Sequence, residues 1–249
     1  MLKKFLSSVG IGSARVETKL LKTEFEPGEE VEGTVEVQGG STEQNIDDIY
    51  LSVFSTYTRE SNDKKYEDTI ELFRHKLLDP FVISPNETKN VSFRFVLPYD
   101  VPITKGKTKV WIQTGLDIKN AIDPKDRDYI QILPHPLVNA FLQSAQTLGF
   151  RIHKVDCEEA PRYLRQRTPF VQEFEFTPAS GRYRGRLDEL EAIFFVSQYQ
   201  VEVILQVDRK GGFLFEALEM DENIVRFTYG PNDVSTLTDK LSDVIDRYS

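Results

Sequence analysis

The sequence predicts an all-β protein, a tandem of two antiparallel β-sandwiches with a short amphipathic helix at each end. Three observations predict it. Valine is plentiful at 21 and alanine scarce at eight; β-branched side chains suit a pleated, half-buried surface, whereas alanine favours helix. Apolar and polar residues alternate over short runs separated by glycine and proline turns, the period of strands with one buried face. A phrase of Phe-x-Phe running into proline occurs twice, as Phe93-Arg-Phe95-Val-Leu-Pro98 and Phe174-Glu-Phe176-Thr-Pro178. Each copy sets two rings on one strand face and ends in a residue that cannot extend the ladder. The 249 residues give room for two domains of ordinary size.

Residues 1–12 read as the first helix. Met1, Leu2, Phe5, Leu6 and Val9 share one face, Lys3 and Lys4 lie opposite, and Gly10 and Gly12 end the run. So short a helix is not stable alone, so its apolar face needs a partner. Self-association into a homodimer leads, followed by packing on its own body. Membrane attachment comes last, because two lysines contribute only about 2 kcal/mol toward anionic lipid.

Residues 13–133 read as the first sandwich. Val31, Gly33, Val35 and Val37 share a face, as do Ile49, Leu51 and Val53, then Val91, Phe93, Phe95 and Leu97, then Val110, Ile112, Thr114, Leu116 and Ile118. Turns at Pro27-Gly28, Gly39-Gly40, Pro85-Asn86 and Lys105-Gly106-Lys107 separate them. Leu133-Pro134-His135-Pro136 breaks the alternation, and residues 134–149 form a connector whose apolar spacing from Leu137 to Leu148 fits a short helix. The second sandwich, within 134–230, takes strands from Phe150, at 170–176, 192–197, 201–207, 213–219 and 223–229. Residues 231–249 carry Val234, Leu237, Leu241, Ile245 and Tyr248 at helical spacing behind a Pro231-Asn232 start.

A net charge of −9 argues against nucleic acid as a partner, since that affinity comes from lysine and arginine against phosphate. The single cysteine, Cys157, fits a reducing cytoplasm. Glycine-framed serine elbows, paired-histidine zinc motifs and phosphate-binding glycine patterns are all missing from the sequence. His153 and Cys157 stand four apart without a second close pair, so no metal and no cofactor are expected. The chain reads as a non-enzyme.

Three features stand out. The segment after Gly115 packs Asp117, Asp123, Asp126 and Asp128 around Arg127; it is either a solvated acidic loop or a paired polar core. Such a core would act as a latch, because removing one partner leaves a buried charge uncompensated. Seven of the fifteen arginines fall within 36 residues, at Arg151, Arg162, Arg165, Arg167, Arg182, Arg184 and Arg186. Guanidinium forks suit phosphorylated or carboxylate-rich segments, so Arg162, Arg165, Arg167, Arg182, Arg184 and Arg186 are the candidate partner-binding residues, unless they answer the acidic first half. The amphipathic N-terminus is the third feature.

Glu26-Pro-Gly-Glu-Glu-Val-Glu-Gly-Thr-Val35 resembles the early hairpin of arrestin-type domains, and the two Phe-x-Phe phrases resemble their later strands. More narrowly, Ala121-Ile-Asp-Pro-Lys-Asp-Arg-Asp128, Phe170-Val-Gln-Glu-Phe-Glu-Phe-Thr-Pro178 and Gly185-Arg-Leu-Asp-Glu-Leu-Glu191 resemble bacterial sporulation-control proteins of the stage-zero M family. The resemblance covers residues 2–230. It implies an arrestin-like pair of sandwiches in a cytoplasmic regulator linked to sporulation, with the 117–128 segment as counterpart of the arrestin polar core. The long C-terminal tail that closes the arrestin clasp has no counterpart here. The function expected is a non-enzymatic scaffold or adaptor working through protein contacts, in sporulation and also in cell division. The alternative is a peripheral membrane or trafficking-type module using the N-terminal helix and the arginines.

Overall fold

The computed structural model describes residues 13–61, 64–118, 123–208 and 224–248, which divide into two compact units. The first comprises residues up to Ser55, Thr69–Val101 and Lys109–Ile132; the second comprises Thr56–Asp68, Pro102–Thr108 and everything from Leu133.

The first unit is a sandwich. One sheet has the order β1 (Arg15–Leu20), β3 (Glu30–Gln38), β7 (Thr88–Val96), antiparallel throughout. In the other, β4 (Gln44–Ser61) pairs with β8 (Val110–Ile118), and β8 with β9 (Lys125–Ile132). Short β2 (Glu24–Phe25) lies parallel to β9, and β6 (Phe81–Ile83) caps the start of β4. The strand that follows β4 in the chain, β5 (Lys64–Leu78), is also paired with β4. The alternating residues meet between the sheets: Val31, Val35, Val37, Phe93 and Phe95 against Ile49, Leu51, Val53, Ile112, Leu116 and Ile130. Gly33 is needed where it sits, because a Cβ there would lie 2.6 Å from the Lys19 carbonyl oxygen of the neighbouring strand.

The second unit departs from the expected sandwich. Its strands β10 (Phe150–Glu159), β11 (Phe170–Pro178), β12 (Glu189–Val196), β13 (Val201–Asp208) and β14 (Ile224–Tyr229) form one antiparallel meander. Among the described residues no second sheet faces it. One face is covered instead by two helices, α1 (Pro136–Thr147) and α2 (Leu237–Tyr248). The reason lies in their apolar stripes: Leu137, Val138, Phe141 and Ala145 with Leu237, Leu241 and Ile245 are all buried against Phe174, Phe176, Val203 and Leu205. Two stripes of this width cover a five-stranded face as a sheet would. Pro136 opens α1, and His135 Nδ1 accepts the Leu137 N–H at 3.3 Å. Thr238 Oγ1 and Ser144 Oγ, 3.1 Å apart, join the helices, and the Tyr229 hydroxyl donates to the Leu137 carbonyl at 2.7 Å. A short 3-10 helix, Pro231–Thr236, precedes α2. The strand expected at 213–219 and the turn before it lie outside the described residues.

The opposite face of this sheet carries a smaller apolar cluster, Val171, Ile193 and Ile204 under Ala160 and Leu164 of the 160–168 loop. The meander thus has one face for helices and one for a loop.

Candidate functional site

The aspartate segment does not form a core around an arginine. In β9 successive side chains point to opposite faces, and this parts Arg127 from its neighbours. Arg127 lies over the Trp111 ring, 4.7 Å from its centroid, and donates to Gln113 Oε1 at 3.4 Å. Asp126 turns the other way and accepts the Thr18 N–H at 2.6 Å. Asp123 accepts the Ile118 N–H at 3.0 Å, closing its own loop, and Asp117 is exposed. Asp128 is half-buried: desolvation first, then Asp126 and Glu17, push its carboxyl up to about 6. Asp126 and Asp128 therefore lie together on the β1 side of β9, apart from Arg127, so of the two expected arrangements, a solvated acidic loop or a paired polar core, the ion-paired core is not formed around Arg127.

The arginines do not make one surface. Arg165 and Arg167 belong to the 160–168 loop: Arg165 bonds the Ala160 carbonyl at 2.8 Å and Glu159 at 3.0 Å, and Arg167 bonds Glu202 at 2.6 Å over the Phe195 ring. Arg162 is exposed on the same loop. Arg182 lies on the helix side, bonded to Tyr183 Oη at 2.7 Å, to Ser242 and to Asp246. Arg184 and Arg186 are exposed near it. The six candidates are thus split between the two faces of the sheet, and Arg165, Arg167 and Arg182 are engaged in local structure. Met1, Leu2, Phe5, Leu6 and Val9 lie outside the described residues.

What the fold does build, within the second unit, is a groove of about 730 Å³. Its floor is the β10 backbone from Ile152 to Glu158; one wall is Thr56–Thr58 with Lys65–Glu67, and the other is the Lys105–Thr108 turn. That turn is held by two devices. Gln172 on β11 accepts the Ile103 N–H at 2.8 Å and donates to the Ile103 carbonyl at 2.7 Å, as a neighbouring strand would. Gly106 adopts a left-handed φ of +68°, and a Cβ there would come within 2.5 Å of the Val155 carbonyl oxygen. Only glycine lets the turn sit so close to β10.

Inside the groove charges are matched. Lys65 meets Glu158 at 3.5 Å, Lys154 meets Asp156, and His153 meets Glu175 at 3.6 Å. Lys105 and Lys107 stand exposed at the lip, and no ion pair is found for either among the described residues. Cys157 is buried, and burial pushes its thiol up, so little thiolate is available as a nucleophile at neutral pH. Among the described residues no three histidine, cysteine or carboxylate side chains are placed to hold a metal ion. Beneath the groove, Glu173 stands opposite Asp156 in the β10–β11 ladder. Burial first, then the Glu191 and Glu158 charges, push it up to about 9. The sequence signal for this site was Lys105-Gly106-Lys107, legible as a turn and not as a wall.

The family model described as SpoOM protein matches residues 2–211. The chain belongs to the Spo0M family. It is similar to the sporulation-control protein spo0M of Bacillus subtilis (strain 168), with 40% identity over 254 residues, covering 99% of this chain and 98% of that protein. The crystal structure of Spo0M, sporulation control protein, from Bacillus subtilis superposes with a TM-score of 0.88 at 39% identity, covering 96% of this chain and 100% of the other. The phrases that pointed to the Spo0M family fall on structural positions. Phe170–Pro178 is the whole of β11, including Gln172 and Glu173, and Gly185–Glu191 leads into β12. No helix among the described residues is long and apolar enough to cross a membrane.

Proposed function

We propose that the chain is a non-enzymatic regulator in the control of sporulation, acting by contact with a protein partner at the groove of the second unit. The observation that carries this reading is the groove itself. Its volume lies in the range that holds a ligand or peptide segment, roughly 300–1,000 Å³, its turn wall is fixed by Gln172 and Gly106, and its thiol is chemically quiet. Relatives named for sporulation control support the process, and the site supports the mode. Cytoplasmic residence suits a chain whose cysteine remains a free thiol.

The test is photo-crosslinking in sporulating cells, with a photoreactive residue placed at Tyr66 on the groove wall. The expected result is a discrete adduct with one partner protein, missing when the probe sits at exposed Val82 in the first unit. A Tyr66 probe that yields no protein adduct overturns the reading.

A further inference from the structure

Resting on that reading, we infer that the groove takes an extended, carboxylate-rich segment of the partner, gripped at its lip by Lys105 and Lys107. Three observations carry this. The first is shape. The floor follows β10 from Ile152 to Glu158, and at about 3.3 Å per residue this is a trough of about 20 Å, the length of a short extended segment rather than of a compact metabolite. The edge of β10 away from β11 is already met by β4 at Glu158–Thr58, and the Gly106 turn leans on the Val155 carbonyl. The visitor therefore lies in the trough by its side chains and does not add as a further strand.

The second is charge. Of the acidic side chains lining the groove, Asp156 and Glu158 are occupied by Lys154 and Lys65 and Glu67 stands exposed on the wall opposite the turn, whereas Lys105 and Lys107 have no ion-pair partner among the described residues. In a chain of net charge −9, two lysines on one rigid turn form a local positive lip. The third is the residue type. The groove is lined by lysines and contains no arginine, so it offers separate point charges, suited to single carboxylates spaced along a segment, and no planar fork for a bidentate grip. Tyr66, 47% exposed on the wall opposite the lip, offers a ring to an apolar residue between the acids.

The mounting of the turn makes the lip a built feature. Ile103 is buried in the core of the unit and doubly bonded to Gln172, so the two lysines are carried at fixed positions. Pre-organised charge of this kind confers selectivity and salt dependence more than raw affinity.

The test uses the full chain and fluorescence anisotropy with two labelled peptides of about ten residues. One alternates glutamate and aspartate with leucine and valine; the other replaces every acid by its amide. The acidic peptide is expected to bind, to weaken about tenfold as salt rises from ~50 to ~300 mM, and to weaken at least about tenfold in Lys105→Glu/Lys107→Glu. The amide peptide and a charge-matched Lys89→Glu/Lys125→Glu control show the contrast: no binding by the first, undiminished binding by the second. Should the glutamate variant melt early, Lys105→Gln/Lys107→Gln replaces it. Equal binding of both peptides, or acidic-peptide binding that survives both lip variants, overturns the inference. So does lip-dependent flotation with phosphatidylglycerol vesicles without peptide binding. Failure here with the Tyr66 crosslink intact removes only the acidic segment, whereas loss of the crosslink removes the contact reading itself.

Discussion

Gln172 clasps Ile103 with both halves of its side-chain amide, accepting from the N–H at 2.8 Å and donating to the carbonyl at 2.7 Å. One side chain thereby satisfies a peptide unit that has no strand beside it. Gln172→Glu keeps the acceptor and loses the donor, and Gln172→Ala loses both. Gln172→Ala leaves the part-buried Ile103 N–H unmatched, and Gln172→Glu sets a carboxylate oxygen against the Ile103 carbonyl, which keeps the Lys105 N–H at 2.8 Å; each is expected to destabilise the chain by about 1–3 kcal/mol. A urea melt checks this, and a midpoint unchanged by either variant contradicts it.

Glu173 gives a pH-dependent prediction whose sign is opposite to the ordinary carboxylate case. Its folded value of about 9 lies above the ordinary 4.5. The folded chain therefore holds a proton that the unfolded chain releases, and stability from this group falls as pH rises from about 4.5 to about 9. Glu173→Gln keeps the neutral form at every pH. It should raise stability by roughly 1–3 kcal/mol at pH 8 and leave it unchanged at pH 4. Thermal melts of both proteins at the two pH values read this directly; a uniform shift at both would show that the group's charge is not involved.

Asp128 acts in the same direction over a lower window. With its carboxyl raised from 3.8 to about 6, its contribution is complete below pH 4 and lost as pH rises through 6. Asp128→Asn should stabilise the first unit by roughly 1 kcal/mol at pH 7.5, after discounting for solvent screening. Hydrogen exchange at the Thr18 amide, which bonds Asp126 at 2.6 Å, is the local measurement. Slower exchange in the variant at pH 7.5, with no difference at pH 4, is the expected outcome.

Gly106→Ala should cost roughly 1–3 kcal/mol, because φ of +68° is strained for any side chain and the new Cβ meets the Val155 carbonyl. Gly185 makes the control. It too has a left-handed φ, of +79°, but open space around its Cβ position. Gly185→Ala should cost about 1 kcal/mol, the backbone share alone. Equal losses at the two positions would mean that the close approach to β10 contributes nothing.

The first unit was legible because its strands have one wet face and one dry. Val31, Val35 and Val37 alternate with glutamates and threonine and are buried as alternation predicts. The second unit misled for a physical reason. Apolar spacing at Leu137–Ala145 and Leu237–Ile245 shows that a helix needs cover, without saying that its cover is a sheet face which otherwise wants a second sheet. The charged segments misled in another way. Asp126, Arg127 and Asp128 are adjacent in sequence, but a strand sends neighbours to opposite sides, so proximity along the chain forbids the pairing it suggests. The groove was least legible, since Gln172 and Ile103 are 69 residues apart and neither type announces a clasp.

The segments Thr56–Asp68 and Pro102–Thr108 count with the second unit although the first unit's strands run on either side of them. A cut between Ile132 and Leu133, where the chain breaks its alternation, would leave Gln172 without Ile103 and the trough without its walls. The C-terminal half is therefore not a transferable cassette. A gene fusion or truncation at that point would deliver the helices and the meander but not the trough between Thr56–Thr58 and the Lys105–Thr108 turn.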